Sequence, residues 1–115
     1  MSDLILIDNL ELSAHIGITE EERASPQRLT VTLELKPSRN FTILEDRIEN
    51  ALDYFKVCET VKAVVTISRC SLLETLAEKI ASELIADFAL QSVELELRKY
   101  ILPDTRFVAV KIHRE

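Results

Sequence analysis

The chain has 115 residues, of which 47% are hydrophobic and 30% are charged, so the sequence predicts one globular domain over residues 1–115. The formal net charge of −6 argues against nucleic acid and against an anionic membrane surface as partners. The sequence has no apolar run near the roughly 20 residues of a transmembrane helix, and it lacks a basic, cleavable leader.

Cysteine and histidine residues are too few and too scattered to predict a metal site. Cys58 and Cys70 have no CxxC spacing, and His15 and His113 lie far apart in the chain. We therefore expect no metal, and we expect the two thiols to be reduced and packed as small apolar groups, which is typical of a cytoplasmic protein.

The first third of the chain predicts two strands. Apolar and polar residues alternate over residues 10–16, with a more apolar extension at residues 4–7, until Gly17 breaks the pattern. Alternation resumes over residues 29–35. The connection between the two strands is long and polar, and residues 37–51 are predicted to be irregular or to contain a short helical turn.

Two helices and two further strands follow. Asp53 is a plausible N-cap for the first helix, and Ser71 is predicted to cap a second helix with a wide apolar stripe that runs to Phe88. Strands are predicted over residues 93–99 and 108–113. The order ββααββ predicts an α+β fold, a four-stranded antiparallel sheet with two helices on one face. Its two unpaired edges would be covered in a closed homo-oligomer.

Lys99 occupies an unusual place in the third of these strands. Val93, Leu95 and Leu97 form the apolar face, and the next step of the alternation places Lys99 on the same side. An ammonium group turned toward a core is costly unless it is paired or lines a cavity. The strand could instead end at Leu97, or the amine could reach back to solvent.

Two carboxylates are ambiguous by themselves. Ser71 and Glu74 have the spacing of a capping box, as do Thr19 and Glu22. Glu74 is also a carboxylate in the first turn of a helix, where the dipole favours its ionised form, which could bind an amidine-like edge. Tyr54 could pack at a rim, stack on a flat heterocycle or move a proton.

Five segments together resemble the dihydroneopterin aldolase family. They are His15 to Arg23, Gln27 to Val31, Leu52 to Tyr54, Ser71 to Glu78, and Lys99. The resemblance implies the tunnelling fold, whose sheets assemble into a barrel around a central channel. It also implies a homo-oligomer, tetramer or octamer, with pterin sites between neighbouring subunits. Aldolases of this family split 7,8-dihydroneopterin into 6-hydroxymethyl-7,8-dihydropterin and glycolaldehyde in folate synthesis, and they use neither a metal nor a Schiff base.

By motif position, the resemblance implies substrate-binding residues in two of these segments. Glu74 would anchor the amino-pyrimidinone edge of the pterin, with help from the backbone of Leu72 and Leu73. Glu22 would contact the pterin or its side-chain region, as both a substrate-binding and a catalytic residue.

The resemblance likewise implies the groups that move protons. Lys99 would act as general acid and base on the side-chain hydroxyl, and Tyr54, supplied by the adjacent subunit, would stack on the pterin or relay a proton. Leu52 and Asp53 would border that ring.

Two departures from the family pattern leave alternatives open. Many aldolases place a proline directly after the lysine, where this chain has Tyr100, and some carry a histidine where this chain has Ile16. The pair Lys99–Tyr100 and the run Glu20-Glu21-Glu22 also resemble the dihydroneopterin triphosphate 2′-epimerases, which need cations at the pocket mouth. The candidate cations are Arg23, Arg28, Lys56 and Arg106. A non-catalytic pterin-binding ring protein is a third interpretation.

Overall fold

The structure is a computed structural model that describes residues 3–115. Within this range the sheet has the strand order β3-β1-β2-β4-β5. The strands are β1 (Ile5–Ile16), β2 (Gln27–Pro37), β3 (Arg69–Cys70), β4 (Leu90–Lys99) and β5 (Val108–Arg114).

Three α-helices connect these strands. They are α1 (Glu20–Ala24), α2 (Tyr54–Ile67) and α3 (Leu73–Asp87), and the stretch predicted to be irregular holds two 3₁₀ turns, Phe41–Ile43 and Ile48–Asn50. Asp53 is the N-cap of α2, as predicted, because its carboxylate accepts from the amides of Phe55 and Lys56. Among residues 3–115 no helix is both long and apolar enough to span a membrane.

The predicted α+β fold is confirmed, but the sheet has one more strand than the predicted four. β1, β2, β4 and β5 pair antiparallel in the predicted order, and both helices of the central pair lie on one face. The additional strand is β3, which pairs parallel with His15 and Ile16 at the end of β1. The sequence could not reveal β3 because two residues are too few to show an alternation.

The core lies between the sheet and the two long helices. Every second residue of β2 and β4 is buried, and these side chains meet one stripe of α2 and one stripe of α3. The fully buried members include Leu29, Val31, Leu33, Leu95, Leu97, Val57, Val61, Leu76, Ile80 and Leu84. Burial of each such side chain contributes about 1.5–3 kcal/mol relative to leaving it in water.

Gly17 ends β1 and allows α1 to fold back over it. Its φ angle is +156°, and a methyl group built on its Cα would lie against the Cβ of Glu22 and 2.9 Å from the Cδ. The Gly17 amide donates to the Cys70 carbonyl at 3.2 Å, which fixes the end of β1 against β3. Glycine is therefore required by the close approach of α1.

We expect Gly17→Ala to destabilise the fold by about 1–3 kcal/mol, the usual cost of forcing an additional methyl group into a packed position. Calorimetric unfolding of the purified protein measures this change. Ser13→Ala, at an exposed position of β1, is the matched control. A Gly17→Ala variant that unfolds at the wild-type temperature would show that α1 does not pack on Gly17.

The last turn of α3 carries two repelling carboxyl groups. Asp87 raises the pKa of Glu83 through a side-chain hydrogen bond and through like charge. Asp87 is also the last residue of α3, where the helix dipole disfavours an anion. Because Glu83 binds its proton more tightly in the folded chain, stability falls as pH rises through the titration of this group.

Asp87→Asn should therefore raise the Tm at pH 7 by about 1–3 °C. The gain should shrink at acid pH, because protonation of Glu83 removes the repulsion between the two carboxyl groups. Thermal unfolding across this pH range measures both effects, with Glu59→Gln on the exposed face of α2 as the control for charge alone. An equal gain at both pH values would contradict the carboxyl-pair explanation.

Candidate active site

Lys99 is the last residue of β4, where it pairs with Leu29 of β2 and Val108 of β5. Its side chain lies on the face of the sheet that carries the helices and is only 15% exposed. β4 therefore continues past Leu97, as the alternation predicts, and the amine does not reach back freely into solvent. A largely desolvated ammonium group needs an anionic partner nearby.

Glu22 is that partner. Its Oε2 lies 3.9 Å from the Lys99 Nζ, and its side chain is 37% exposed. The other oxygen, Oε1, accepts from the Thr19 amide and hydroxyl, each at 3.4 Å, while the Thr19 hydroxyl accepts from the Glu22 amide at 3.1 Å. The predicted capping box is thus formed, and it leaves one carboxylate oxygen facing the lysine.

Three side chains to which the sequence analysis gave no such role hold α1 in place. Gln27 donates to the Glu22 carbonyl at 2.9 Å and also to the Ile16 carbonyl. His15 Nδ1 donates to the Arg23 carbonyl at 2.9 Å, since a carbonyl can only accept. Arg23 donates to the Gly17 carbonyl at 2.8 Å. Gln27 lies five residues after Glu22, at the start of β2. This short separation is the feature of the sequence that indicates a contact between Gln27 and α1.

The predicted capping box at Ser71 is wrong. α3 begins at Leu73, so its N-cap is Leu72, and within residues 3–115 no side chain caps this helix. The Ser71 hydroxyl instead accepts from Arg23 Nη1 at 3.3 Å, which joins α1 to the segment before α3. Glu74, in the exposed first turn of α3, is therefore not engaged in a capping box.

The segment Leu72–Glu74 lies at the same end of the sheet as Lys99. β3 precedes it and pairs with Ile16, next to Gly17 and α1. Leu72 is 47% exposed, whereas Leu73 is buried in the core. Glu22, Leu72, Leu73, Glu74 and Lys99 thus share one end of the molecule, which we call the lysine end.

Leu52, Asp53 and Tyr54 lie at the opposite end, which we call the tyrosine end. Leu52 and Asp53 line a cavity of about 530 Å³ together with Pro37 and Ala89, next to the first residue of β4. Tyr54 is 62% exposed. Nine strand residues at about 3.3 Å each separate the two ends by about 30 Å. One copy of the chain therefore does not bring these three residues to Lys99.

Two of the four cationic side chains that could bind a triphosphate already bind other groups of this chain. Arg28 makes a forked ion pair with Glu11, 2.7 Å at its shortest, and its hydrogen bonds lower the pKa of that carboxyl group. Arg23 is committed to the carbonyls of its own loop. Lys56 lies at the tyrosine end, and Arg106 is exposed in the connection between β4 and β5.

Metal ligands are not gathered in the part of the chain that the structure describes. Residues 3–115 contain no cluster of three or more histidine, cysteine, aspartate or glutamate side chains that could hold an ion. Cys58 and Cys70 are free thiols, and burial raises the pKa of Cys58, which keeps this thiol protonated at neutral pH.

A family model and the sequences of known proteins both match this chain to dihydroneopterin aldolases. A family model described as dihydroneopterin aldolase matches residues 5–113. Dihydroneopterin aldolase from Escherichia coli K12 is 29% identical over 97 residues, which cover 84% of this chain and 80% of that protein.

Two solved structures share the fold. That of E. coli dihydroneopterin aldolase in complex with neopterin superposes with a TM-score of 0.91 at 28% identity, covering 98% of this chain and 99% of that one. Dihydroneopterin aldolase from Burkholderia thailandensis bound to guanine gives a TM-score of 0.78 at 25% identity, covering 97% and 89% of the two chains. With a family match over residues 5–113, this chain belongs to the dihydroneopterin aldolase family.

Proposed function

We propose that this chain is an enzyme that cleaves 7,8-dihydroneopterin by a retro-aldol reaction, giving 6-hydroxymethyl-7,8-dihydropterin and glycolaldehyde for folate synthesis. The observation that carries the proposal is the Lys99 side chain, which is 15% exposed and whose amine lies 3.9 Å from Glu22, in a chain of this family. The neopterin and guanine of the two related structures are flat, amino-substituted heterocycles, which supports a pterin as the small-molecule substrate.

The reaction needs a base and an electron sink. A base takes the proton from the hydroxyl group of the second side-chain carbon, and the bond between the first and second side-chain carbons breaks. The electron pair moves into the conjugated C=N bond of the dihydropterin, and a proton then returns to the first carbon. The substrate supplies its own sink, so the protein needs only to position it and move protons.

Lys99 has the placement that this proton transfer needs. The gap of 3.9 Å to Glu22 is longer than a hydrogen bond, so a substrate hydroxyl or a water molecule can bridge the two groups. Glu22 is held by its capping box, which keeps the carboxylate beside the amine and the side chain of the substrate. We assign Lys99 as general acid and base and Glu22 as the residue that orients it and contacts the pterin.

Glu74 is suited to bind the other end of the pterin. Its carboxylate is exposed in the first turn of α3 and makes no ion pair with any residue in 3–115. An ionised carboxylate can accept two parallel hydrogen bonds from the ring N–H and the amino group of a pterin. The uncapped amides near Leu72 and Leu73 can add backbone contacts.

The remaining groups would come from a second copy of the chain. Leu52, Asp53 and Tyr54 lie about 30 Å from Lys99 by strand length, so only another copy can place them beside it. Both ends also expose large apolar side chains, which a head-to-tail contact would bury. At the tyrosine end these are Ile48, Tyr54 and Phe55, and at the lysine end Ile18, Leu72, Ile101 and Leu102. Repeated head-to-tail contacts form a ring when the rotation between copies closes, and such a ring agrees with the homo-oligomer, a tetramer or octamer, that we propose.

We expect Lys99→Ala to lower the rate of glycolaldehyde release from 7,8-dihydroneopterin by at least about 100-fold, as befits loss of an acid–base group. Binding of neopterin, followed by its fluorescence, should change little because Glu74 is intact. Lys111→Ala, at an exposed position of β5, is the matched lysine control and should keep the wild-type rate.

The same assay separates the rival functions. Chromatography of the products from 7,8-dihydroneopterin and from its triphosphate distinguishes cleavage from epimerisation. A strong preference for the triphosphate with an epimer as product would replace the aldolase by the epimerase. Wild-type protein that binds neopterin without turnover would support a non-catalytic role, and full activity in Lys99→Ala would refute the role of Lys99.

Mixed oligomers test whether two copies build one site. Lys99→Ala and Tyr54→Ala chains, each inactive alone, should regain about a quarter of the wild-type rate when co-expressed at equal levels and purified together. The reason is that one site in four then pairs an intact lysine end with an intact tyrosine end.

The control for this experiment is a mixture of Lys99→Ala with Glu74→Ala chains. Both changes lie at the lysine end, so no combination restores a whole site and the mixture should stay inactive. Recovery in this control, or no recovery with Tyr54→Ala, would refute a site shared between copies.

A further inference from the structure

Many family members have proline at the position of Tyr100. The side chain of Tyr100 lies on the face of the sheet opposite to that of Lys99. Its hydroxyl shares a hydrogen bond of 2.8 Å with the hydroxyl of Thr30. Thr30 is only 1% exposed and pairs with Arg98 in the register of β2 and β4. The bond therefore runs diagonally across the two strands, a distance that an aromatic side chain can span.

Two more contacts hold the ring of Tyr100. The Arg28 guanidinium lies 4.2 Å from its centroid, and Arg28 is itself held by the forked ion pair with Glu11. The ring of Phe107 meets it edge-on, with the centroids 6.2 Å apart and the planes at 66°. Strand β2 and the connection before β5 thus contact the residue that follows Lys99, and strand β1 supports this arrangement through the Glu11–Arg28 ion pair.

These contacts fix the end of a strand that would otherwise fray. Lys99 is the last paired residue of β4, Tyr100 is partly buried, and the next six residues, 101–106, are all exposed. The backbone of Lys99 is directly bonded to that of Tyr100, so a held Tyr100 sets the direction in which the Lys99 side chain leaves the sheet. An unheld strand end would let the amine leave Glu22.

We propose that Tyr100 is a positioning residue for Lys99, acting through its hydrogen bond to Thr30 and its stack on Arg28. This inference rests on the proposed function, because it concerns the amine that we assign as acid and base. Tyr100 lies on the face away from Lys99 and acts on the reaction only through the strand.

The test uses four variants of the full-length protein. Tyr100→Phe and Thr30→Val each remove one hydroxyl group of the bond, the double variant removes both, and Thr30→Ser keeps the bond. We expect kcat to fall about tenfold in the first two variants and in the double variant, because sub-ångström misplacement of a reacting group is costly. KM should stay within a factor of about two of the wild type, and Thr30→Ser should retain the wild-type kcat.

Stability separates positioning from a general loss of folding. Tyr100→Phe leaves the buried Thr30 hydroxyl without its partner and should lower Tm, whereas the double variant removes that orphaned group and should recover much of the loss. If Tyr100 positions Lys99, kcat stays low in the double variant although Tm recovers. Val57→Ala, in the core of α2, is the control that lowers Tm without lowering kcat of the folded enzyme.

A second readout does not depend on the aldolase reaction. Reductive methylation of Lys99, followed by peptide mass spectrometry, reports how accessible the amine is. Methylation should be severalfold faster in Tyr100→Phe than in the wild type and unchanged in Val57→Ala. If the wild type cleaves no dihydroneopterin, the proposed function fails and this labelling rate alone tests the position of Lys99.

Either of two results would overturn the proposal. One is a wild-type kcat and labelling rate in Tyr100→Phe. The other is a kcat that recovers together with Tm in the double variant, which would make the Tyr100–Thr30 bond a matter of stability only.

Discussion

The contact between the Lys99 amine and the Glu22 carboxylate is the interaction on which the proposed chemistry depends. The Lys99 side chain is only 15% exposed, and its ammonium group is stabilised there by the Glu22 carboxylate 3.9 Å away. The pair joins the end of β4 to the short helix α1, two elements far apart in the chain. Glu22 thus supplies the electrostatic reason for the place of Lys99, while its own place is set by the capping box with Thr19.

Much of the surrounding structure fixes these two groups. Gly17 lets α1 fold close over the end of β1, the Thr19 capping box turns one oxygen of Glu22 inward, and Gln27 braces the helix from β2. Tyr100 braces the other side of the pair. The side chains of His15, Arg23 and Gln27 that hold α1 bind mostly backbone carbonyls, so the arrangement follows from the course of the chain.

Local patterns predicted what depends on neighbouring residues. The alternation of β4 placed Lys99 on the apolar face, Asp53 was correctly predicted as an N-cap, and Thr19 with Glu22 forms the predicted capping box. Ser71 was predicted wrongly, because a hydrogen bond from Arg23, distant in sequence, engages its hydroxyl. The pairing of Tyr100 with Thr30 and the two-residue strand β3 also come from tertiary contacts that no local pattern encodes.

The separation of the lysine end from the tyrosine end has a consequence for when activity begins. In an assembly of the proposed kind, a newly folded copy carries two half sites and no whole one. Folding and the onset of turnover are then distinct events, and the second requires an encounter between copies. A cell that makes few copies would accumulate folded but idle protein, so the output of the enzyme would rise more steeply than its abundance.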